Sequence, residues 1–228
     1  LSNNVDLIFL LIAGFAFAFI IIICSYYFSK RNVVLRQLTK VKSTSLVSVR
    51  HNQKVKVFGK VKAGTDVLTA PLSKRKCVYY YVEVNQKNGN NGSRTIFKEE
   101  RIKNFMIEAN GAFAVIKPQS NLKTVTSYVV QDISHSTGFL NDASPRLRHF
   151  IRTRDIGATT LFGFNKNLEY KESSIEIGER IAVLATAKWK KLNTPIEGYN
   201  YSSILELEGT QDDKLIITDD PVAFKDKL

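Results

Sequence analysis

The chain contains only two cysteines, Cys24 and Cys77, and three histidines in 228 residues. These are too few to supply the ligands of a structural module with two tetrahedral zinc sites, and they exclude a framework of disulfide bonds. The sequence also lacks a glycine-rich phosphate loop, a nucleophile elbow and a paired-carboxylate site. We therefore expect no catalytic residue, no metal site and no cofactor within residues 1–228.

Residues 7–28 form an apolar run that carries no Asp, Glu, Lys or Arg. As a helix, such a run reaches across a hydrocarbon core of about 30 Å. Its fourteen Leu, Ile and Phe residues favour insertion by about 4–8 kcal/mol. Tyr26 and Tyr27 end the run and Lys30 and Arg31 follow, whereas a cleaved signal peptide has a shorter apolar core with its positive charge before it. Residues 1–29 are therefore predicted to be the transmembrane helix of an integral, single-pass membrane protein.

The net charge of +12 is concentrated directly after this run. Residues 30–76 contain thirteen Lys and Arg against a single acid, Asp66, whereas the rest of the chain is nearly neutral. Positive charge next to a span favours the cytoplasmic side of the membrane. The following domain is thus predicted to face the cytoplasm if the membrane is bacterial.

Residues 30–53 form a basic juxtamembrane segment in which apolar residues recur at roughly helical spacing. Two interpretations are open: an amphipathic helix along the membrane surface, or a short charged stalk.

Residues 54–62 alternate between apolar and basic side chains, which predicts a strand with lysines on one face. These lysines could contact anionic lipid headgroups, or they could protect an exposed sheet edge from pairing with another chain. The candidate residues for contact with the membrane surface are Lys30, Arg31, Lys54, Lys56, Lys60 and Lys62. Lysines interleaved with aromatic residues also occur in single-stranded nucleic-acid sites, but here the charge lies beside the membrane, so no nucleic-acid partner is expected.

The remaining sequence predicts a single β-rich domain at residues 54–228, of mainly β (α+β) class with one or two short helices. Residues 77–84 are apolar on both faces, as in a central strand. Asn110-Gly111 between two apolar runs predicts a tight hairpin. Ser144-Pro145 would open a short helix with Leu147, Phe150 and Ile151 on its inner face. Further strands are predicted at residues 125–130, 168–170, 180–187, 204–207 and 215–218.

Two segments of this domain resemble the GIDE family, also called the BAM ("beside a membrane") domain. They are VKVFGKVKAGTDVLTAPLSKRKCVYYYVEV at residues 55–84 and YKESSIEIGERIAVLATA at residues 170–187. The positions that carry the resemblance are Gly59, Pro71, Leu72, Cys77, Tyr79, Tyr80, Glu172, Gly178 and Glu179.

This resemblance implies a membrane-anchored interaction domain that lies beside the bilayer and binds a protein partner of unknown identity. Eukaryotic members of the family carry a second membrane span and a RING finger, which make them ubiquitin-protein ligases. The alternative expectation is therefore that the chain is the N-terminal part of such a ligase, with its second span and RING beyond Leu228.

Overall fold

The computed structural model describes residues 2–87, 92–118, 124–136, 145–154, 168–192 and 202–225. Three α-helices lie in these ranges, α1 (Ser2–Tyr27), α2 (Lys30–Thr39) and α3 (Pro145–Thr153), with short 3-10 helices at Leu46–Ser48 and Pro221–Phe224. The strands are β1 (Lys54–Lys62), β2 (Leu68–Thr69), β3 (Lys76–Lys87), β4 (Ser93–Ile102), β5 (Phe105–Ala109), β6 (Ala112–Lys117), β7 (Val125–Tyr128), β8 (Ile133–Ser136), β9 (Leu168–Glu176), β10 (Arg180–Lys191), β11 (Ser203–Glu208) and β12 (Leu215–Thr218). The predicted class, mainly β behind an N-terminal apolar helix, is confirmed.

Five strands of the first sheet close into a small barrel. β1 pairs antiparallel with both β5 and β10, and β5 pairs antiparallel with β6. β11 closes the barrel, because it pairs antiparallel with β10 on one side and parallel with β6 on the other. This arrangement corresponds to the five-stranded Greek-key barrel of OB-folds. β12 and β7 extend the sheet outward from β10. The barrel interior is filled by aliphatic side chains such as Val57, Ile107, Val183 and Leu207.

Two tight backbone positions shape the barrel. A Cβ atom at Gly59 would lie 2.8 Å from the Cβ of Ile107, so β1 and β5 approach too closely for a side chain there. The predicted hairpin is confirmed, because Asn110 and Gly111 take positive φ angles of 51° and 77° between β5 and β6.

The second sheet is an insertion into the barrel and has β3 at its centre. β3 pairs with β4 on one side and β9 on the other, while β8 continues the sheet from β9. One face of β3 joins the barrel core through Val78 and Tyr79, and the other packs with α3 in a separate apolar cluster. The predicted inner face of α3, formed by Leu147, Phe150 and Ile151, is buried in that cluster. The predicted helix cap, Ser144, lies outside the described residues.

Candidate membrane-facing site

Helix α1 is long and apolar enough to cross a membrane. Its residues Leu10–Tyr27 have a mean hydropathy of 2.4, and none of this segment is buried against the rest of the chain. Large apolar side chains such as Phe15 and Ile22 are exposed along it. Such exposure is unfavourable in water and is the normal state of a helix that faces lipid.

The end of α1 is capped by the side chains of Ser29, which precedes α2, and of two residues of α2. The backbone carbonyl of Tyr26 accepts hydrogen bonds from Ser29 Oγ at 2.9 Å and from Asn32 Nδ2 at 2.7 Å. Arg36 donates to the carbonyl of Tyr27 at 2.5 Å, and its guanidinium lies 3.7 Å from the centroid of the Tyr27 ring. Carbonyls at a helix C-terminus lack partners within their own helix, and a cation there is favourable. Because Asn32 and Arg36 are one turn apart, a single side of α2 covers the end of α1.

The opposite side of α2 packs on the domain. Val34 and Leu38 are buried against Ala182 and Leu184 of β10 and Ile216 of β12. The structure therefore differs from the charged-stalk interpretation of this segment. The spacing of the apolar residues correctly indicated an amphipathic helix, but the surface that covers them is protein rather than lipid alone.

An ion pair adds to this attachment. Arg31 Nε lies 2.6 Å from Oδ2 of Asp220, whose carboxylate is only 3% exposed and also accepts a hydrogen bond from the backbone N–H of Val222. The hydrogen bond to Asp220 raises the pKa of Arg31 above its usual value. Arg31, predicted to face lipid headgroups, is thus held by the domain, and Lys30 lies 5.7 Å from the ring centroid of Tyr81 in β3.

The lysine face of β1 is only partly as predicted. Lys56 is 2% exposed, Lys54 forms an ion pair with Asp213, and Lys62 lies 3.2 Å from Glu108. Alternation correctly assigned these side chains to one side of the strand. It could not show that Lys56 would be buried, or that residues 43–44 run alongside it in the chain. β1 pairs with β10 over residues 54–60 and with β5 over residues 60–62, so the edge-strand interpretation does not hold for the end of β1 that carries Lys60 and Lys62. Of the four lysines of this face, only Lys60 is both exposed and without an ion pair to a described residue.

The structure brings three positions of the GIDE resemblance together around one turn. The carboxylate of Glu172 is fully buried and accepts hydrogen bonds from the backbone N–H groups of Leu72, at 2.7 Å, and Ser73, at 2.9 Å. These two donors belong to the turn that Pro71 opens before β3. Glu172 on β9 therefore fixes the Pro71–Leu72 turn against the second sheet, a structural rather than catalytic arrangement.

The remaining positions of the resemblance also have structural contacts. Gly178 takes a φ of 92°, and its turn bonds to β1, where the N–H of Val61 donates to the carbonyl of Glu179 at 2.7 Å. Glu179 Oε2 accepts from the N–H of Glu176, and burial raises the pKa of Glu179 to about 7. Burial likewise raises the pKa of the Cys77 thiol to about 11, which makes it a poor nucleophile at neutral pH.

Both tyrosines of the resemblance donate to carboxylates of β4. Tyr79 donates to Glu100 at 2.9 Å, and Tyr80 donates to Glu99 at 2.6 Å. Burial raises the pKa of both phenols, that of Tyr80 to about 12. These hydroxyls tie β3 to β4, a strand that sequence reasoning did not predict because its apolar residues do not alternate.

Two side-chain arrangements of the structure could not be found from the pattern of the sequence. Asp220, which holds Arg31, is 189 residues away from its partner, and only the Asp-Pro pair, typical of a helix cap, marked its position. Arg180 was not singled out, although it lies directly opposite Lys60 in the paired strands β1 and β10. Within the described ranges, no group of three or more His, Cys, Asp or Glu side chains is arranged to hold a metal ion.

Comparison with known proteins adds no relative. No protein-family profile, no curated protein and no solved structure matches this chain.

Proposed function

We propose that this chain is a membrane-anchored interaction domain of the GIDE/BAM type, held against the bilayer surface, with no catalytic centre in residues 1–228. The observation that carries this proposal is the position of α2. One side of the helix caps the apolar helix α1, and the other packs on the barrel. Because a helix is about 10 Å in diameter, the barrel lies within about that distance of the end of the span.

The contacts of α2 distinguish this arrangement from a domain that tumbles on a flexible tether. Hydrogen bonds join α2 to the last carbonyls of α1, and a buried apolar cluster with an ion pair joins it to the domain. A domain fixed in this way keeps the same side toward the lipid. A partner protein would therefore meet a surface of constant orientation relative to the membrane.

The first experiment tests the anchor. The full chain is expected to remain in the membrane pellet after carbonate and high-salt washes. A matched chain with Phe17→Lys and Ile20→Lys should be extracted, because each central charge costs about 2.5–3.5 kcal/mol and the two together offset most of the gain on insertion. Recovery of the unaltered chain in the supernatant would contradict the anchor.

The second experiment tests contact between the domain and lipid, using a chain that starts at Ser29. A start at Ser43 would remove α2 and expose the apolar surface beneath it. The shortened chain is expected to float with anionic liposomes at low salt and to be released at high salt. Floating equally well with zwitterionic liposomes, or not floating at all, would contradict an anionic contact.

A pair of double variants locates this contact. Lys30→Gln with Lys60→Gln should weaken binding roughly thirtyfold, because each Lys near an anionic surface contributes about 1 kcal/mol. Lys54→Gln with Lys62→Gln removes the same charge but alters lysines already paired with Asp213 and Glu108, so a smaller loss is expected. Equal losses in the two variants would show that only net charge matters.

A further inference from the structure

We propose that Lys60 and Arg180 form a binding site for a phosphate monoester, carried either by a soluble molecule or by a lipid headgroup. The site lies in a cleft of about 590 Å³ between β1, the segment at residues 43–46 and the turn at Gly178. Clefts of this size are typical of small-molecule sites. The proposal stands independently of the membrane anchor, because the cleft is built entirely from the barrel and the segment that precedes β1.

The two cations of the cleft face each other across paired strands. In the β1–β10 register, Lys60 is directly opposite Arg180. Like charges in such positions repel and destabilise the sheet unless an anion lies between them. Neither side chain forms an ion pair or a hydrogen bond with a carboxylate in the part of the chain that the structure describes.

Arg180 is held in position by aromatic rings rather than by an acid. Its guanidinium carbon lies 4.8 Å from the ring centroid of Phe224 and 5.8 Å from that of Phe58. Stacking of this kind fixes the plane of a guanidinium and leaves its N–H donors available.

The acids around the cleft are engaged elsewhere. Glu108 is opposite Lys60 on the β5 side, but its Oε2 lies 3.2 Å from Lys62 and its Oε1 accepts from the N–H of Gly111 at 3.4 Å. Glu179 precedes Arg180, and its Oε2 accepts from the backbone of Glu176. The cleft therefore keeps an excess of positive charge.

The other wall favours phosphate over a simple carboxylate. Thr44 and Ser45 belong to the lining of the cleft, so two hydroxyl groups accompany the two cations. A phosphate monoester has three terminal oxygens and about two negative charges, which matches two cations and additional hydroxyl donors. Gly178, with its positive φ angle, carries no side chain over the stem of Lys60.

The test uses the full chain in phosphatidylcholine nanodiscs, titrated calorimetrically with inorganic phosphate. Saturable binding is expected, and Lys60→Gln or Arg180→Gln should weaken it roughly tenfold to a hundredfold, as for the loss of one charge-assisted contact. Lys54→Gln is the matched control, because this lysine is on the same side of β1 but pairs with Asp213. Arg180→Lys keeps the charge and provides a second variant if Arg180→Gln fails to fold.

A parallel titration in nanodiscs that also contain phosphatidic acid identifies the source of the phosphate. If phosphatidic acid in the nanodisc suppresses the binding of inorganic phosphate, the ligand of the cleft is a lipid headgroup. If the binding of inorganic phosphate is unchanged, the ligand is a soluble phosphomonoester. The proposal is overturned if inorganic phosphate does not bind saturably in phosphatidylcholine nanodiscs, or if Lys54→Gln weakens binding as much as Lys60→Gln. Neither outcome of the phosphate titrations affects whether the chain stays in membranes after a carbonate wash. That wash therefore tests the membrane anchor independently of the phosphate site.

Discussion

Replacing Glu172 by Gln tests whether this buried carboxylate holds the turn before β3. The carboxylate accepts from two backbone N–H groups, whereas a carboxamide keeps one acceptor oxygen and turns its own N–H₂ toward the other donor. A hydrogen bond to a charged group contributes about 1.5–3 kcal/mol, so we expect a loss of about 2–4 kcal/mol once the weakening of the second bond is included.

The assay is thermal unfolding of the full chain in detergent. In a chain of this size, 1 kcal/mol corresponds to about 2–4 °C, so Glu172→Gln should lower Tm by about 5–15 °C. Glu169→Gln is the control, because Glu169 is on the same strand but makes only partly exposed ion pairs, with Lys171 at 3.3 Å and Lys87 at 4.0 Å. If Glu172→Gln and Glu169→Gln have the same Tm, Glu172 does not hold the turn and the reasoning is refuted.

Three further predictions concern the attachment of α2, the response to pH and metal content. Asp220→Asn keeps the helix cap but removes the charge that faces Arg31, so it should lower the free energy of unfolding by about 1–2 kcal/mol in urea titrations; no change would contradict the ion pair. Burial raises the pKa of Glu179 from 4.5 to about 7, so the folded chain retains a proton that the unfolded chain releases, and stability should fall as pH rises through this range. Glu179→Gln should reduce that slope, measured as the urea midpoint against pH, and an unaltered slope would exclude Glu179 as its source. Finally, elemental analysis of the purified chain should find no stoichiometric zinc, and the chain should not discharge ubiquitin from a charged conjugating enzyme; about two zinc ions per chain would overturn this prediction.

Local patterns predicted much of the fold because each depends on residues close together in the chain. The uncharged run at residues 7–28, the alternation at 54–62 and the Asn110-Gly111 pair led to a helix, a strand and a hairpin that are present in the structure. β4 was missed because its pattern of apolar and charged residues resembles that of a loop.

The candidate site was predictable only in part. The sequence shows positive charge after the span, and the resemblance includes Glu172 and the Pro71–Leu72 turn. Neither observation indicates that the carboxylate of Glu172 accepts a hydrogen bond from the backbone of Leu72, which is 100 residues earlier in the chain. The lysines of β1 show the same limit, because alternation assigns side chains to a face and does not reveal which of them another segment buries.

What the sequence determined by itself is therefore the composition of each element: an apolar helix, a basic amphipathic helix and a set of β-strands, each defined by hydrophobic spacing along a few consecutive residues. Tertiary structure alone decided how these elements meet. Closing the barrel placed Arg180 opposite Lys60, and packing β10, β12 and the 3-10 helix Pro221–Phe224 against α2 brought Asp220 to Arg31. Contacts of this kind depend on strand register and on packing between distant segments, which hydrophobic periodicity does not encode.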